Sequence, residues 1–325
     1  MDVFLFEYIS CGGEAEEDIV VEGLSMFKSL YTGFTKFSNV LSFVNPEYSL
    51  STMYNIPPVR NFEEDFRECC ENADYALIIA PEDEGILETL TKIAEKRCEN
   101  LGSSSKAIAI TSSKWLTYLR LKDRVNMPLT SKEPLDVSYV IKPERSCGGA
   151  GIDFGSGTVP DGFVAQEFVE GKNLSVSFIV GDEITPLSVN SQLLDHFKYS
   201  GALVPANIGK KEEKMVVEEA TEAVGCIKGL HGYVGVDVVL SDSPYIIEIN
   251  ARLTTPSIAF EQVYGFNLAE LIYKNHAEGH LTFRSKARRV CSISKVNGVR
   301  ESAMAYHKET SLVVEEVDLS VGRGG

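Results

Sequence analysis

The sequence predicts an α/β region followed by an α+β region, and three observations carry that expectation. Over residues 1–111 short apolar runs alternate with helical patterns; beyond Pro128 and Pro134 the pattern changes to hairpins; and the stretch from Gly232 to Arg252 sets two acidic residues opposite one another in one of those hairpins. No internal repeat and no low-complexity segment interrupts this order.

Taken in order, VFLF, VLSFV, YALIIA and AIAIT read as strands, with helices over Glu22 to Phe37, Phe62 to Cys70 and Ile86 to Arg97 between them. Parallel strands need crossover connections, so this alternation predicts a small parallel sheet covered on both faces. Ligands on such sheets collect beyond the carboxyl ends of the strands. There the chain carries Glu7, Ser10, Cys11 and Gly12-Gly13 after the first strand, and Pro81 to Gly85 after the third. The glycine pair is either an ordinary turn or an anion cradle, and the acidic loop serves equally well to complement the dipole of the next helix. Ser112 and Ser113 read as caps for a helix from Lys114 to Lys122. A second region then runs through YVIKP, a glycine-rich loop, FVAQEFV, LSVSFIV, TPLSVNSQ, a helix from Lys211 to Leu230 and the acidic hairpin. A last helix is expected from Ala259 to Glu278, followed by SISKV and SLVVEEVDL as edge strands and a flexible Gly-Arg-Gly-Gly tail. The expected division is 1–111, 112–171 and 172–325.

Composition narrows the class. A chain of 325 residues with 44% hydrophobic content buries one large or several small cores, as a multi-lobed enzyme does. A formal charge of −16 argues against nucleic acid held by bulk electrostatics, so any phosphate must be met by a few placed cations. No apolar run approaches the roughly 18 residues of a membrane span, and the opening MDVFLFEYIS lacks a basic start and a cleavage site. A soluble cytoplasmic protein is expected. Seven cysteines, an odd count without a C-x-x-C pair, read as reduced thiols. His276 and His280 stand at helical spacing with no third ligand nearby and read as surface residues.

The acidic hairpin is the strongest single signal. If Leu240 pairs with Tyr245 across the polar turn Ser241 to Pro244, Asp237 lies opposite Glu248, and Asn250 shares the Glu248 side. Like charges opposed in a sheet are destabilising. A hard cation such as Mg2+, with oxygen ligands from Asp237, Glu248 and the amide of Asn250, would reconcile them and commonly bridges carboxylates to nucleotide phosphates. The alternatives are that one acid is protonated, or that an odd-numbered turn faces the acids apart.

Upstream, Lys142 ends a β-branched strand and is followed by a loop containing Ser146, Cys147, Gly148, Gly149 and Gly151. Glycines let N–H groups approach phosphate closely, although neither the P-loop nor the dinucleotide spacing occurs. A buried strand lysine needs an anion. In Gln166 to Gly171, the extended backbone about Glu167 could read an adenine edge with Phe168 or Val169 as an apolar wall. By itself the segment also passes for an ordinary strand and turn.

In this order, helix lysine, strand lysine, glycine-rich loop, Glu-Phe-Val-Glu-Gly hinge and Asp...Glu-x-Asn-x-Arg, the chain resembles the ATP-grasp superfamily of carboxylate–amine ligases. The resemblance implies an N-terminal parallel-sheet pre-ATP-grasp domain followed by a two-lobed ATP-grasp fold. It implies that Lys114 and Lys142 touch ATP phosphates, that Ser146 to Gly151 close over them, and that Glu167, Phe168, Val169 and Glu170 hold adenine and ribose. Asp237, Glu248 and Asn250 would bind Mg2+, with Mn2+ as a substitute, and Arg252 and Lys142 would act on the transferred phosphoryl group. Many relatives carry an acid where this chain has Asn173, which leaves the ribose contact open.

The opening Phe-Glu-Tyr-Ile-Ser-Cys-Gly-Gly, the Asn190-Ser191-Gln192 and Tyr199-Ser200-Gly201 runs, and EINARLTTPS are similar to an archaeal branch of that family. That likeness implies an amide formed through an acyl phosphate between an amino acid such as glutamate and an amine such as tyramine. Asn190, Gln192, Tyr199 and Arg252 would contact substrate, with Glu7 and Ser10 as further candidates. Other outcomes on the same fold are a kinase, a carboxylase-like or carbamoyl-phosphate-forming enzyme, and a non-catalytic nucleotide-binding module. Small-molecule partners are expected, without nucleic acid or membrane, and a homodimer is left open, as are the roles of Cys11 and Cys147.

Overall fold

The computed structural model describes residues 1–318 apart from 49, 280–282 and 284, so His280 and the Gly-Arg-Gly-Gly tail lie outside the described residues. In chain order the first sheet is built from β1 (Asp2–Glu7), α1 (Glu17–Phe34), β2 (Asn39–Leu41), α2 (Leu50–Tyr54), α3 (Phe62–Asn72), β3 (Tyr75–Ile79), α4 (Ile86–Ala94) and β4 (Glu99–Asn100). Its four strands are parallel in the order β2-β1-β3-β4. Every residue from Val3 to Phe6 is fully buried, as expected for a strand covered on both faces. Phe4 and Phe6 share one face and meet Phe66 of α3 edge-on, with ring centroids 5.3 and 4.8 Å apart.

The last strand expected in this region departs from expectation. AIAIT is not a strand but the body of α5 (Ser105–Thr111), and the fourth strand is the polar pair Glu99–Asn100. Ser104 caps α5 by accepting from the Ala107 N–H, and Ala107, Ile108 and Thr111 form its buried face at i, i+1, i+4. A five-residue apolar run fits either period, and the serine cap decides it. Ser113 caps α6 (Lys114–Leu121) through the Leu116 N–H.

A second sheet, antiparallel in the order β5-β8-β6-β7, contains β5 (Thr130–Ser131), β6 (Tyr139–Pro143), β7 (Asp153–Phe154) and β8 (Phe163–Glu167). The third holds eight antiparallel strands in the order β13-β12-β9-β10-β11-β14-β16-β15. These are β9 (Lys172–Val180), β10 (Ile184–Asp195), β11 (Lys198–Val204), β12 (Gly232–Leu240), β13 (Pro244–Asn250), β14 (Cys291–Asn297), β15 (Ala305–His307) and β16 (Thr310–Glu316), with α7 (Lys210–Gly225) packed against β13 and β10. The run expected as one helix from Ala259 to Glu278 is two, α8 (Phe260–Tyr264) and α9 (Leu268–Glu278), because Gly265 adopts φ 77° and ends the first. SISKV and SLVVEEVDL are interior strands rather than edges; β15 takes the edge beside them. His276 is half-buried, bonding His231 at 3.0 Å and Glu99 at 2.9 Å, so it joins α9 to the first sheet instead of facing solvent.

Among the described residues, no helix is long and apolar enough to cross a membrane. Phe66→Ala empties the aromatic cluster under β1 and is expected to cost about 3–5 kcal/mol of stability, read from the shift of the urea midpoint; a loss below about 1 kcal/mol would mean that this cluster does not hold the first sheet.

Candidate functional site

The acidic hairpin forms by an unexpected route. Leu240 pairs with Pro244, not Tyr245, so the turn Ser241-Asp242-Ser243 is odd-numbered and by itself would turn Asp237 and Glu248 to opposite faces. A bulge restores them. The register shifts between Val238, which faces Ile246, and Asp237, which faces Glu248, leaving Ile247 as the extra residue; Gly235 then faces Asn250.

The pair is therefore opposed, and its electrostatics show the strain. Burial and the neighbouring Glu248 charge push the Asp237 carboxyl well above the ordinary range. Burial would raise Glu248 too, but Lys114 and Lys142 outweigh it and hold Glu248 low. Of the two, Asp237 is therefore the one whose charge its surroundings disfavour. Gln192 Nε2 donates to Asp237 Oδ1 at 2.9 Å and Asn250 Nδ2 to Oδ2 at 3.3 Å. Asn250 accordingly turns its NH2, not the expected amide oxygen, towards Asp237.

Two lysines arrive from different elements. Lys114, at the start of α6, lies 3.6 Å from Glu248 and donates to the carbonyl and hydroxyl oxygens of Ser146 at 3.1 and 3.2 Å. Lys142, on β6, donates to Gln166 Oε1 at 2.6 Å. Burial lowers the Lys142 ammonium to about 8, with Glu248 opposing the shift. Arg252, just past β13, makes a two-pronged pair with Glu82 at 2.8 and 2.7 Å, both side chains largely buried. Glu82 outweighs the cost of burial and keeps Arg252 firmly charged.

These groups line one cavity of about 470 Å³ that runs between the three sheets. The glycine-rich loop forms part of its wall. Gly149 sits at φ 79°, and a Cβ there would lie 2.0 Å from the Phe197 carbonyl oxygen, so only glycine lets the loop seat against the β10–β11 turn. Cys147 donates its thiol to Asp83 at 3.1 Å, tying the loop to the acidic segment after β3. Burial pushes the thiols of Cys147 and Cys11 well up, so both are neutral.

The hinge is partly committed to the protein itself. The Glu167 N–H donates to Leu129 O and the Phe168 N–H to Ser138 O, leaving Val169 as the hinge position whose main chain those bonds do not use. Glu167, Phe168 and Val169 line the cavity, as does Asn173; Glu170 is exposed outside it, and Gly151 also lies beyond its wall.

Gln192 and Tyr199 reach the cavity, but Asn190 does not: it is fully buried in a network with Ser175, Ser177 and Ser188. Ser10 is likewise sealed, donating to Glu7, which lines the cavity. Glu82 lies in the acidic Pro81 to Gly85 loop noted from the sequence, where nothing set it apart from the helix-capping acids around it, and Glu22 was missed because its local pattern does not separate it from a surface acid.

The donor set fits a hard divalent cation: two buried carboxylates lie opposite one another, with an amide side chain beside them. Among the described residues no three His, Cys, Asp or Glu side chains cluster as metal ligands, as expected where the third candidate is an asparagine.

Comparison with known proteins agrees with this geometry. A model described as an ATP-grasp domain matches residues 111–256, and one described as a pre ATP-grasp 3 domain matches residues 42–108. A tyramine–L-glutamate ligase of Methanocaldococcus fervens is 41% identical over 300 residues, spanning 88% of this chain and 98% of the relative. Its counterpart in Methanocaldococcus jannaschii is 40% identical over 302 residues, spanning 88% and 93%. The crystal structure of an ATP-grasp superfamily protein from Archaeoglobus fulgidus superposes with a TM-score of 0.88 at 46% identity, over 98% of this chain and 100% of that one. From its strand order to its paired lysines and carboxylates, and by the similarity of nearly its whole length, this chain belongs to the ATP-grasp family, with a pre-ATP-grasp domain ahead of the ATP-grasp fold.

Proposed function

We propose that the protein is an ATP- and Mg2+-dependent ligase that joins the carboxylate of glutamate to the amine of tyramine with release of ADP and phosphate. The observation that carries this reading is the opposed Asp237–Glu248 pair gathered with Lys114 and Lys142 in the lining of one cavity large enough for a nucleotide and small substrates. The substrate pair follows the names of the curated relatives. The proposal keeps the division at 1–111, 112–171 and 172–325 and the cytoplasm as its place of action.

A carboxylate is too electron-rich for an amine to attack directly. Transfer of the γ-phosphoryl group from ATP forms a P–O bond to one carboxylate oxygen and breaks the bond to ADP, giving an acyl phosphate. The amine then attacks the acyl carbon, the C–O bond to phosphate breaks, and the amine surrenders a proton as the amide forms. Asp237, Glu248 and Asn250 would hold Mg2+, which supplies positive charge against the phosphates during transfer. Lys142 and Lys114 place fixed charge beside the same oxygens, and Arg252, anchored by Glu82, adds a third cation that need not reorganise. The loop from Ser146 to Gly151, seated on Phe197 and Asp83, keeps water from the acyl phosphate. Val169 and Phe168 would face adenine.

Three outcomes test this reading. ADP release is expected to require glutamate and tyramine together and to cease on chelation of divalent metal; release with a single acceptor would make the protein a kinase instead. Asp237→Asn and Glu248→Gln are each expected to lower kcat by about 100- to 1,000-fold with the thermal midpoint unchanged or raised, since each replaces one member of a buried, opposed acidic pair by a neutral amide; undiminished kcat in both removes the metal assignment.

The third outcome is a pH dependence. ATP is held by protonated Lys142, whose proton is lost as pH rises through about 8. Affinity for ATP is therefore level below that pH and weakens above it by up to about tenfold per unit. Lys142→Met should bind ATP weakly with no such step, as measured by calorimetry across pH 6.5–9.5; a step that persists in the variant belongs to another group.

A further inference from the structure

Beside the nucleotide machinery the cavity wall contains a second charged arrangement that the mechanism above does not use. Glu22, in the first half of α1, pairs through Oε1 with Lys295 of β14 at 2.6 Å and accepts through Oε2 from the Thr255 hydroxyl. Their side chains are only 13% and 16% exposed, yet Glu22 and Thr255 line the cavity. Lys295 lies over the Tyr199 ring, 5.9 Å from its centroid. The Tyr199 hydroxyl is buried, and no group completes a hydrogen bond of good geometry to it, although the Thr255 hydroxyl is near enough to influence it. Burial, reinforced by Glu22 and Asp237, keeps that phenol protonated and so a donor.

Other acids in and around the cavity have partners of their own. Glu7 accepts from the Ile9 N–H, the Ser10 N–H and the Ser10 hydroxyl; Asp83 accepts from Cys147 and Glu167 from the Leu129 N–H; Glu82, just behind the wall, is held by both prongs of Arg252; and Asp237 and Glu248 belong to the nucleotide machinery. Glu14 and Glu16 are exposed. Glu22 retains acceptor positions, since two of the roughly four lone-pair sites of a carboxylate are used, and among these acids it is the one set beside the Tyr199 hydroxyl.

We propose that Glu22 and the Tyr199 hydroxyl form the subsite that holds the charged backbone end of an α-amino acid, Glu22 receiving the ammonium group and Tyr199 donating to the carboxylate. The inference rests on the ligase reading and assigns its amino-acid side. The Glu22–Lys295 pair is neutral as a unit, and a zwitterion is neutral too, so seating one strands no net charge in the buried wall. A cationic monoamine would leave an uncompensated charge there and offers nothing for Tyr199 to donate to.

The test is calorimetric binding of glutamate and of glutarate, which differs only by lacking the ammonium group, to the full chain with Mg-ATP present. Glu22→Gln is expected to weaken glutamate by about 10- to 100-fold while glutarate changes by less than about threefold. Tyr199→Phe removes a contact to carboxylate alone and should weaken both ligands, by about tenfold. Equal loss of glutamate and glutarate in Glu22→Gln, weaker binding of tyramine in place of glutamate, or no glutamate binding by the wild-type protein would each overturn the proposal. ADP release by the wild-type protein with glutamate and tyramine tests the ligase reading separately, so glutamate binding without turnover would sink that reading and leave the subsite standing.

Discussion

The site depends on one unfavourable contact, two carboxylates set opposite each other on neighbouring strands. In a sheet such a pair is destabilising, and burial makes it worse by disfavouring either charge. The protein does not relieve it with an adjacent salt bridge on the same hairpin. It brings Lys114 from a helix that precedes the second sheet and Lys142 from that sheet itself, so the charges balance only when separate parts of the chain close around the cavity. Under the proposed function nucleotide binding would belong to the same balance: the lysines that lower Glu248 would turn to phosphate, and a divalent ion would take over the carboxylates they leave.

A similar economy explains how a chain with a formal charge of −16 can hold a polyanion. Bulk attraction has the wrong sign, so cations must be placed and kept in place. Each has a neutral or acidic tether: Ser146 for Lys114, Gln166 for Lys142 and Glu82 for Arg252. Glu82 stands at the carboxyl end of the third parallel strand, so the first sheet does more than support the nucleotide lobes; it orients a cation of the site. Cys147 and Asp83 join the glycine-rich loop to the same strand end. Ligands on parallel sheets gather at this edge for the same reason: the strand ends leave short loops whose polar groups point outwards.

Much of this was legible along the chain. Alternation of strands and helices announced the parallel sheet, since only a crossover joins parallel neighbours, and the change of pattern beyond Pro128 and Pro134 marked the hairpins. Lys142 stood out because a lysine ending a β-branched strand cannot be buried alone. AIAIT misled because five apolar residues carry no period of their own, and the deciding information lay in the serines before them. Asn190 misled in another way. Its neighbour at two residues' spacing, Gln192, reaches the cavity, but Asn190 is fully buried in a serine network in which Ser188 in turn accepts from the Tyr264 hydroxyl, some seventy residues away in the chain.

What the sequence by itself determined is the chemistry available: which residues can carry charge, which can approach a phosphate closely, and that Asp237 and Glu248 belong to one hairpin. Whether those two acids faced each other was not decided there. The three-residue turn would have separated them, and the bulge at Ile247 that reunites them arises where β12 is held against β9 on its other side, in a register unbroken from Gly232 to Leu240. With β12 straight, the extra residue had to be taken up by the free edge strand β13. The long-range pairs, Arg252 with Glu82 and Lys295 with Glu22, were settled in the same way: ion pairing needs approach within a few ångströms, and only packing the three sheets together brings such distant segments that close.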